Sequence, residues 1–264
     1  MAKRGRALLA AGTLMVAAWA GPASGLDGGA LRLLLLGAED NNTPPTLLRG
    51  DVALTSKTHD GERTTRALLL VAPGKDARWY LQLEEPATRA LVLGAEHKVM
   101  QESGGTTETL PIGTPIDALG IAYEDLSRFR ERDLKLWQIT DEGRDTILVG
   151  GHANADSAYL YRAYTFDKER KLPVKAQFYA GAFSNLAKLR QDAEHVLVGK
   201  QWWPGKIEIQ NFPENSTTTL RITWSQAASA PPELLAPESF ADAPPLPWAA
   251  PAPPAAPVSP RPPA

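Results

Sequence analysis

The chain has 264 residues, 43% hydrophobic and 22% charged, an ordinary globular mix with enough apolar side chains for a sizeable core. A net charge of −2 argues against nucleic acid as the main partner, because phosphate binding needs a basic surface. With no cysteine, disulfides, thiolate metal sites, thiol catalysis and a cysteine-linked lipid anchor are all excluded. In an exported chain this composition suits the bacterial periplasm.

Export is the expectation set by the first residues. Lys3, Arg4 and Arg6 precede an apolar stretch from Ala7 to Ala20, and small residues follow. This is the order of a cleavable signal peptide at residues 1–25, with cleavage expected after Ala20 or after Gly25. The apolar stretch is short for a membrane span, which takes roughly 20 residues. Without its three cations the mature chain carries a charge near −5. Residues 26–240 read as one β domain and 241–264 as a Pro/Ala-rich tail, extended and disordered, because Pro and Ala alone build no packed core.

In chain order, residues 28–38 predict a short helix, apolar nearly all round through Leu31, Leu33, Leu34, Leu35 and Leu36. Asn41-Asn42-Thr43-Pro44-Pro45 ends it. The period then changes to two. Leu48 to Lys57 and Thr64 to Val71 flank His59-Asp60-Gly61-Glu62, a hairpin signal. Trp79, Leu81 and Leu83 alternate with Tyr80, Gln82 and Glu84, a strand buried on one face. Thr88 to Leu93 and His97 to Glu102 form the next pair. A helix follows at 123–129, with Glu124 and Asp125 in its first turn as the helix dipole favours. Further strands are expected at Leu134 to Thr140, Thr146 to Val149, Ala158 to Asp167, Val174 to Tyr179, Ala187 to Asp192, His195 to Val198, Lys206 to Asn211 and Thr217 to Ser225. Ten to twelve strands on short turns imply an antiparallel sheet that curls strongly or closes.

Catalytic signatures are missing. His59, His97, His152 and His195 are scattered, with no paired spacing to seat a metal. There is no Gly-x-Ser-x-Gly elbow and no glycine-rich phosphate loop. Solvated turns and helix caps account for Glu84-Glu85 and Glu124-Asp125. The remaining resource is apolar and aromatic surface. A curved sheet of this many strands encloses more volume than one layer of side chains fills, which leaves a cavity or a space that helices cover. Residues 31–36 and 123–129 are the available covers.

The order of elements from Leu47 to Phe240 resembles the outer-membrane lipoprotein-sorting proteins, relatives of the periplasmic lipoprotein carrier LolA. The resemblance rests on Ala163-Tyr164-Thr165-Phe166-Asp167 followed by Lys171-Leu172-Pro173-Val174-Lys175-Ala176-Gln177-Phe178-Tyr179. Trp203-Pro204-Gly205-Lys206-Ile207-Glu208-Ile209, Thr219-Leu220-Arg221-Ile222, Ala77-Arg78-Trp79-Tyr80-Leu81 and Tyr123-Glu124-Asp125-Leu126 extend it. It implies an incomplete antiparallel barrel over short helices, an apolar cavity for acyl chains, no catalytic residues and no cofactor. On that comparison, alternation predicts a concave ligand face made of Trp79, Leu81, Leu83, Val174, Phe178, Ile207, Ile209, Leu220, Ile222 and Trp224. The expected function is a non-enzymatic periplasmic carrier or chaperone for lipoprotein or other lipid acyl chains. Inner- or outer-membrane transport proteins are its further expected partners. The alternative is an envelope sensing or adaptor protein that uses the same fold to bind protein, and a hydrolase with an unrecognised acid pair is the third reading.

Overall fold

The computed structural model describes residues 28–116 and 119–248. The expected signal peptide at 1–25 and residues 249–264 of the expected tail lie outside the described residues.

Helix α1 (Gly28–Asn41) comes first and stops at the Asn-Thr-Pro break. Thr43 Oγ1 donates to Glu39 O at 2.8 Å and caps its last turn. Leu31, Leu35 and Ala38 are buried, whereas Leu33 is 71% exposed. The helix therefore lies against the sheet by one face only, a narrower cover than its leucines lead one to expect.

Six strands follow as a meander: β1 (Leu48–Thr58), β2 (Gly61–Val71), β3 (Arg78–Leu83), β4 (Thr88–Leu93), β5 (Lys98–Ser103) and β6 (Thr106–Pro111). A small clasp, β7 (Pro115–Ile116) with β8 (Ile121–Ala122), leads into helix α2 (Tyr123–Leu126). The helix is a single turn and does not reach the expected residue 129. A second meander comprises β9 (Leu134–Glu142), β10 (Thr146–Ala153), β11 (Tyr161–Asp167), β12 (Leu172–Tyr179), β13 (Leu186–Val198), β14 (Gln201–Asn211) and β15 (Ser216–Gln226).

All but the clasp join in one antiparallel sheet of 13 strands, ordered β6-β5-β4-β3-β2-β1-β15-β14-β13-β12-β11-β10-β9. Every neighbouring pair is consecutive in sequence except β1–β15, which meet in register from Leu48 opposite Gln226 to Lys57 opposite Thr217. Strands β6 and β9 are its two edges, so the structure is mainly β, with an open sheet that is not a closed barrel.

Two strands expected from 187 to 198 are one. Between Ala193 opposite Lys206 and His195 opposite Pro204, Glu194 takes a left-handed φ of 52°. A Cβ on the facing Gly205 would lie 2.5 Å from Glu194 O, so glycine there lets the backbones approach without breaking the ladder.

Strand β3 departs from the half-buried pattern. Its inner residues Trp79, Leu81 and Leu83 are buried, and so are Tyr80 and Gln82 on the outer face. The chain after β15 covers that face. Leu234 and Phe240, both fully buried, pack with Leu68, Leu70, Tyr80 and Leu91. Gln82 Nε2 donates to Leu246 O at 3.0 Å and Leu246 N donates back to Gln82 Oε1 at 2.9 Å. The Arg66 guanidinium lies 5.3 Å from the Trp248 ring centroid. Residues 241–248, expected to be disordered, thus continue a strap on the convex face, held by Leu246 and Trp248 among the prolines and by Phe240 just before them.

Candidate apolar groove and its cationic rim

The concave face carries two apolar clusters. One joins β1–β5 with β14 and β15, and the other joins α1 with β10–β12 and Phe129. Between them runs a groove with a cavity volume of about 80 Å³, well above the ~10–15 Å³ that one water needs. Leu69, Val71 and Trp79 wall it on one side and Leu172, Ala176 and Phe178 on the other. Trp203, Ile207, Leu220, Ile222 and Trp224 form the floor. Trp79 on β3 and Phe178 on β12 stand six strands apart, about 29 Å in a flat sheet with ~4.8 Å strand spacing. Both reach one cavity only because the sheet curls.

Its cover is the segment Leu126–Phe129, which α2 positions, together with Asn42 after α1. Glu124 and Asp125 are not solvated turn residues, as their position suggested, but among the most buried polar groups described. Asp125 Oδ2 accepts from Ala122 N at 2.7 Å and from Lys188 Nζ at 2.6 Å, while Tyr159 Oη donates to Oδ1. Burial, and then the Asp125 carboxylate, push the Tyr159 hydroxyl far above its ordinary value. Glu124 pairs with Arg162 and accepts from Ala158 N at 3.0 Å. A single helical turn is too short to be stable alone, so these anchors to β11, β13 and the loop before β11 hold it in place. Arg190 completes the attachment by donating from Nη1 to Asp125 O at 3.0 Å and to Ser127 O at 3.2 Å.

Of the ten residues predicted for the concave face, Trp79, Phe178, Ile207, Leu220, Ile222 and Trp224 line the groove. Leu81, Leu83 and Ile209 sit deeper, in the close-packed cluster beside it. Val174 is the residue left over at a bulge, where Phe166 faces Pro173 and Thr165 faces Lys175. The bulge shifts the alternation by one residue, so Pro173, opposite Phe166, reaches the groove in its place; Lys175 lines it as well.

The rim was not foreseen. Arg128, Lys175, Arg190, Asp192 and His195 all line the groove. Arg190 and Asp192 form a bidentate pair, 2.7 and 2.8 Å, and neutralise each other. Burial lowers the His195 pKa, which keeps its ring neutral near pH 7. Burial also lowers the pKa of Arg128 to about 10, still far above neutrality. Its Nη1 donates to Asn42 O at 3.1 Å, but its buried Nε has no hydrogen-bond partner among the described residues. Alternation had put the residues of β13 on a strand without distinguishing which of them face inward.

The chain is thus an open antiparallel sheet curled round an apolar groove under a short helical cover. It has the LolA-like fold. A domain described as an outer membrane lipoprotein-sorting protein from Vibrio parahaemolyticus superposes with a TM-score of 0.69 at 14% identity, covering 80% of this chain and 97% of that one. A LolA superfamily protein from Nitrosomonas europaea gives 0.63 at 15% identity, over 78% and 97%. A DUF1329 family protein from Desulfovibrio piger gives 0.65 at 13% identity, over 78% and 97%. No protein-family model and no curated protein matches the sequence.

Proposed function

We propose that this protein is a non-enzymatic carrier that takes up acyl chains of lipoproteins or other lipids in the concave groove and moves them within the periplasm. The observation that carries the reading is the groove itself: four tryptophans and a run of aliphatic side chains, mostly apolar, reached by curling a sheet that could otherwise have packed solid. An acyl chain laid there leaves water for apolar surface, at roughly 25 cal/mol per Å². The export signal expected at residues 1–25 supports work outside the cytoplasm, and among the described residues no helix is long and apolar enough to cross a membrane. Delivery then requires a donor and an acceptor, which fits membrane-bound transport proteins as transient partners.

The test is a titration of the purified protein with a fluorescent fatty acid, beside mass spectrometry of lipid extracted from protein isolated from the cell envelope. Saturable binding displaced by unlabelled lipid, together with co-purifying acyl lipid, is the expected result. A protein that binds no acyl probe and carries no lipid is not a carrier.

A further inference from the structure

The groove has more polar capacity than an acyl chain can use. Three buried side-chain donors that line it have no hydrogen-bond partner among the described residues: Trp79 Nε1, Trp203 Nε1 and Arg128 Nε. Both tryptophans are more than nine-tenths buried. A buried donor left unmade costs free energy, so such groups are ordinarily paired. Trp224 shows the ordinary case in the same groove, its Nε1 donating to Pro204 O at 2.8 Å. All three orphans are donors, and what would satisfy them is an acceptor.

Charge points the same way. The groove lining holds three cations, Arg128, Lys175 and Arg190, and one carboxylate, Asp192. Arg190 and Asp192 cancel, and neither Arg128 nor Lys175 has a carboxylate within ion-pair distance among the described residues. Arg128 is the more telling of the two. It stands in the cover segment, its guanidinium is largely desolvated, and of the two charges that act on it the cation Arg130 disfavours its charge more than Glu39, which forms no ion pair with it, favours it. A buried guanidinium without a counter-ion is costly, and a planar fork of donors suits oxyanions.

Resting on the carrier reading above, we propose that the groove selects amphiphiles with an anionic head, a fatty-acid carboxylate or a lipid phosphodiester, whose oxygens accept from Arg128 while the chain lies along the tryptophan-lined floor. Neutral acyl-glyceryl lipids fill the same apolar space but leave Arg128 unpaired.

The experiment compares three ligands with one chain length: palmitate, palmitoyl-lysophosphatidylglycerol and monopalmitoylglycerol, each below its micellar concentration. On the wild type, one or both anionic ligands should bind at least about tenfold more tightly than the neutral one, as a charge-assisted hydrogen bond to a buried arginine allows. Which of the two does so identifies the head as carboxylate or phosphodiester. In Arg128→Gln that advantage should shrink to about threefold or less, with the neutral ligand nearly unaffected, and Arg128→Lys should restore part of it. Because Arg128→Gln can disturb the cover segment, the wild type also carries a test of its own. The carboxyl of ¹³C-labelled bound palmitate should titrate below its free value by NMR, since a nearby cation favours the charged form. Equal affinity for anionic and neutral ligands overturns the head-group assignment while leaving the carrier standing. Failure of all three to bind overturns the carrier reading itself.

Discussion

The anchor beneath the groove's cover gives a sharp test of how the site is built. Asp125 is fully buried and takes bonds from Tyr159 Oη, Ala122 N and Lys188 Nζ. Asp125→Ala removes all three acceptor contacts and strands a cation whose side chain is only 14% exposed. Breaking a buried pair by removing one partner costs about 3–5 kcal/mol, and Lys188's residual exposure favours the lower half of that range. In a domain of this size each kcal/mol moves the melting temperature by roughly 2–4 °C, so a fall of about 6–16 °C is expected. Lys188→Met in the same chain should recover about 1–3 kcal/mol, because the stranded charge is then gone, and a double-mutant cycle isolates this coupling. Urea melts of the four proteins measure it, and acyl-probe titration alongside should show weaker binding, since the Leu126–Phe129 wall loses its support. If Asp125→Ala costs under about 1 kcal/mol, the pair behaves like an exposed one and the anchoring argument is wrong.

Ile222, 6% exposed on the groove floor, and Leu81, 1% exposed behind it, separate cavity from core. Ile222→Glu should abolish acyl binding with the fold retained, while Leu81→Glu should unfold the domain, as circular dichroism beside the same titration would show. Gly50 faces Ile222 Cγ2 at 2.8 Å and Trp224 Cζ3 at 3.0 Å from an added Cβ, so Gly50→Val should push both into the groove and weaken probe binding. A chain ending at Pro231 should melt below one ending at Trp248, since it exposes Leu68, Leu70, Tyr80 and Leu91; equal melting temperatures would refute the strap's role. His97 and His195 both have burial-lowered pKa values, so the unfolded chain binds more protons than the fold just below pH 6.5. Stability should thus be full above that value and decline as pH falls toward the folded values, a slope that the double His→Gln variant flattens in melts between about pH 7.5 and 5.5.

The alternation of apolar residues in β1, β2, β14 and β15 was enough to place most strands and six of the groove's residues, because one face of each is buried and the period of two is clean there. It failed where local pattern does not decide the outcome. The Val174 bulge shifts the phase by one residue, and Pro173 beside it is the sole hint in the sequence, since proline within a sheet marks an edge, a strand start or a bulge alike. Tyr80 and Gln82 are polar enough to read as solvent-facing, yet a strap some 150 residues later covers them. Glu124 and Asp125 read as caps because their partners, Arg162, Tyr159 and Lys188, arrive from strands far along the chain. The cationic rim was invisible for the same reason, since Arg128 and Lys175 become neighbours of one groove only after the sheet curls.

The sheet's strand order has a consequence for how the molecule is made. Each wing, β1–β6 and β9–β14, is a run of hairpins between neighbours in sequence, the kind of contact that forms early and at small entropic cost. The β1–β15 pairing alone spans nearly the whole domain, and it lies at the middle of the sheet. β15, the last strand among the described residues, is therefore the keystone: until it slots between β1 and β14, the two wings are separate sheets with unmatched inner edges. The groove straddles that seam, with Leu69 and Trp79 on one side and Ile207 and Phe178 on the other. The groove is thus complete only once β15 is in place, and a molecule that has not yet set this keystone has no such cavity.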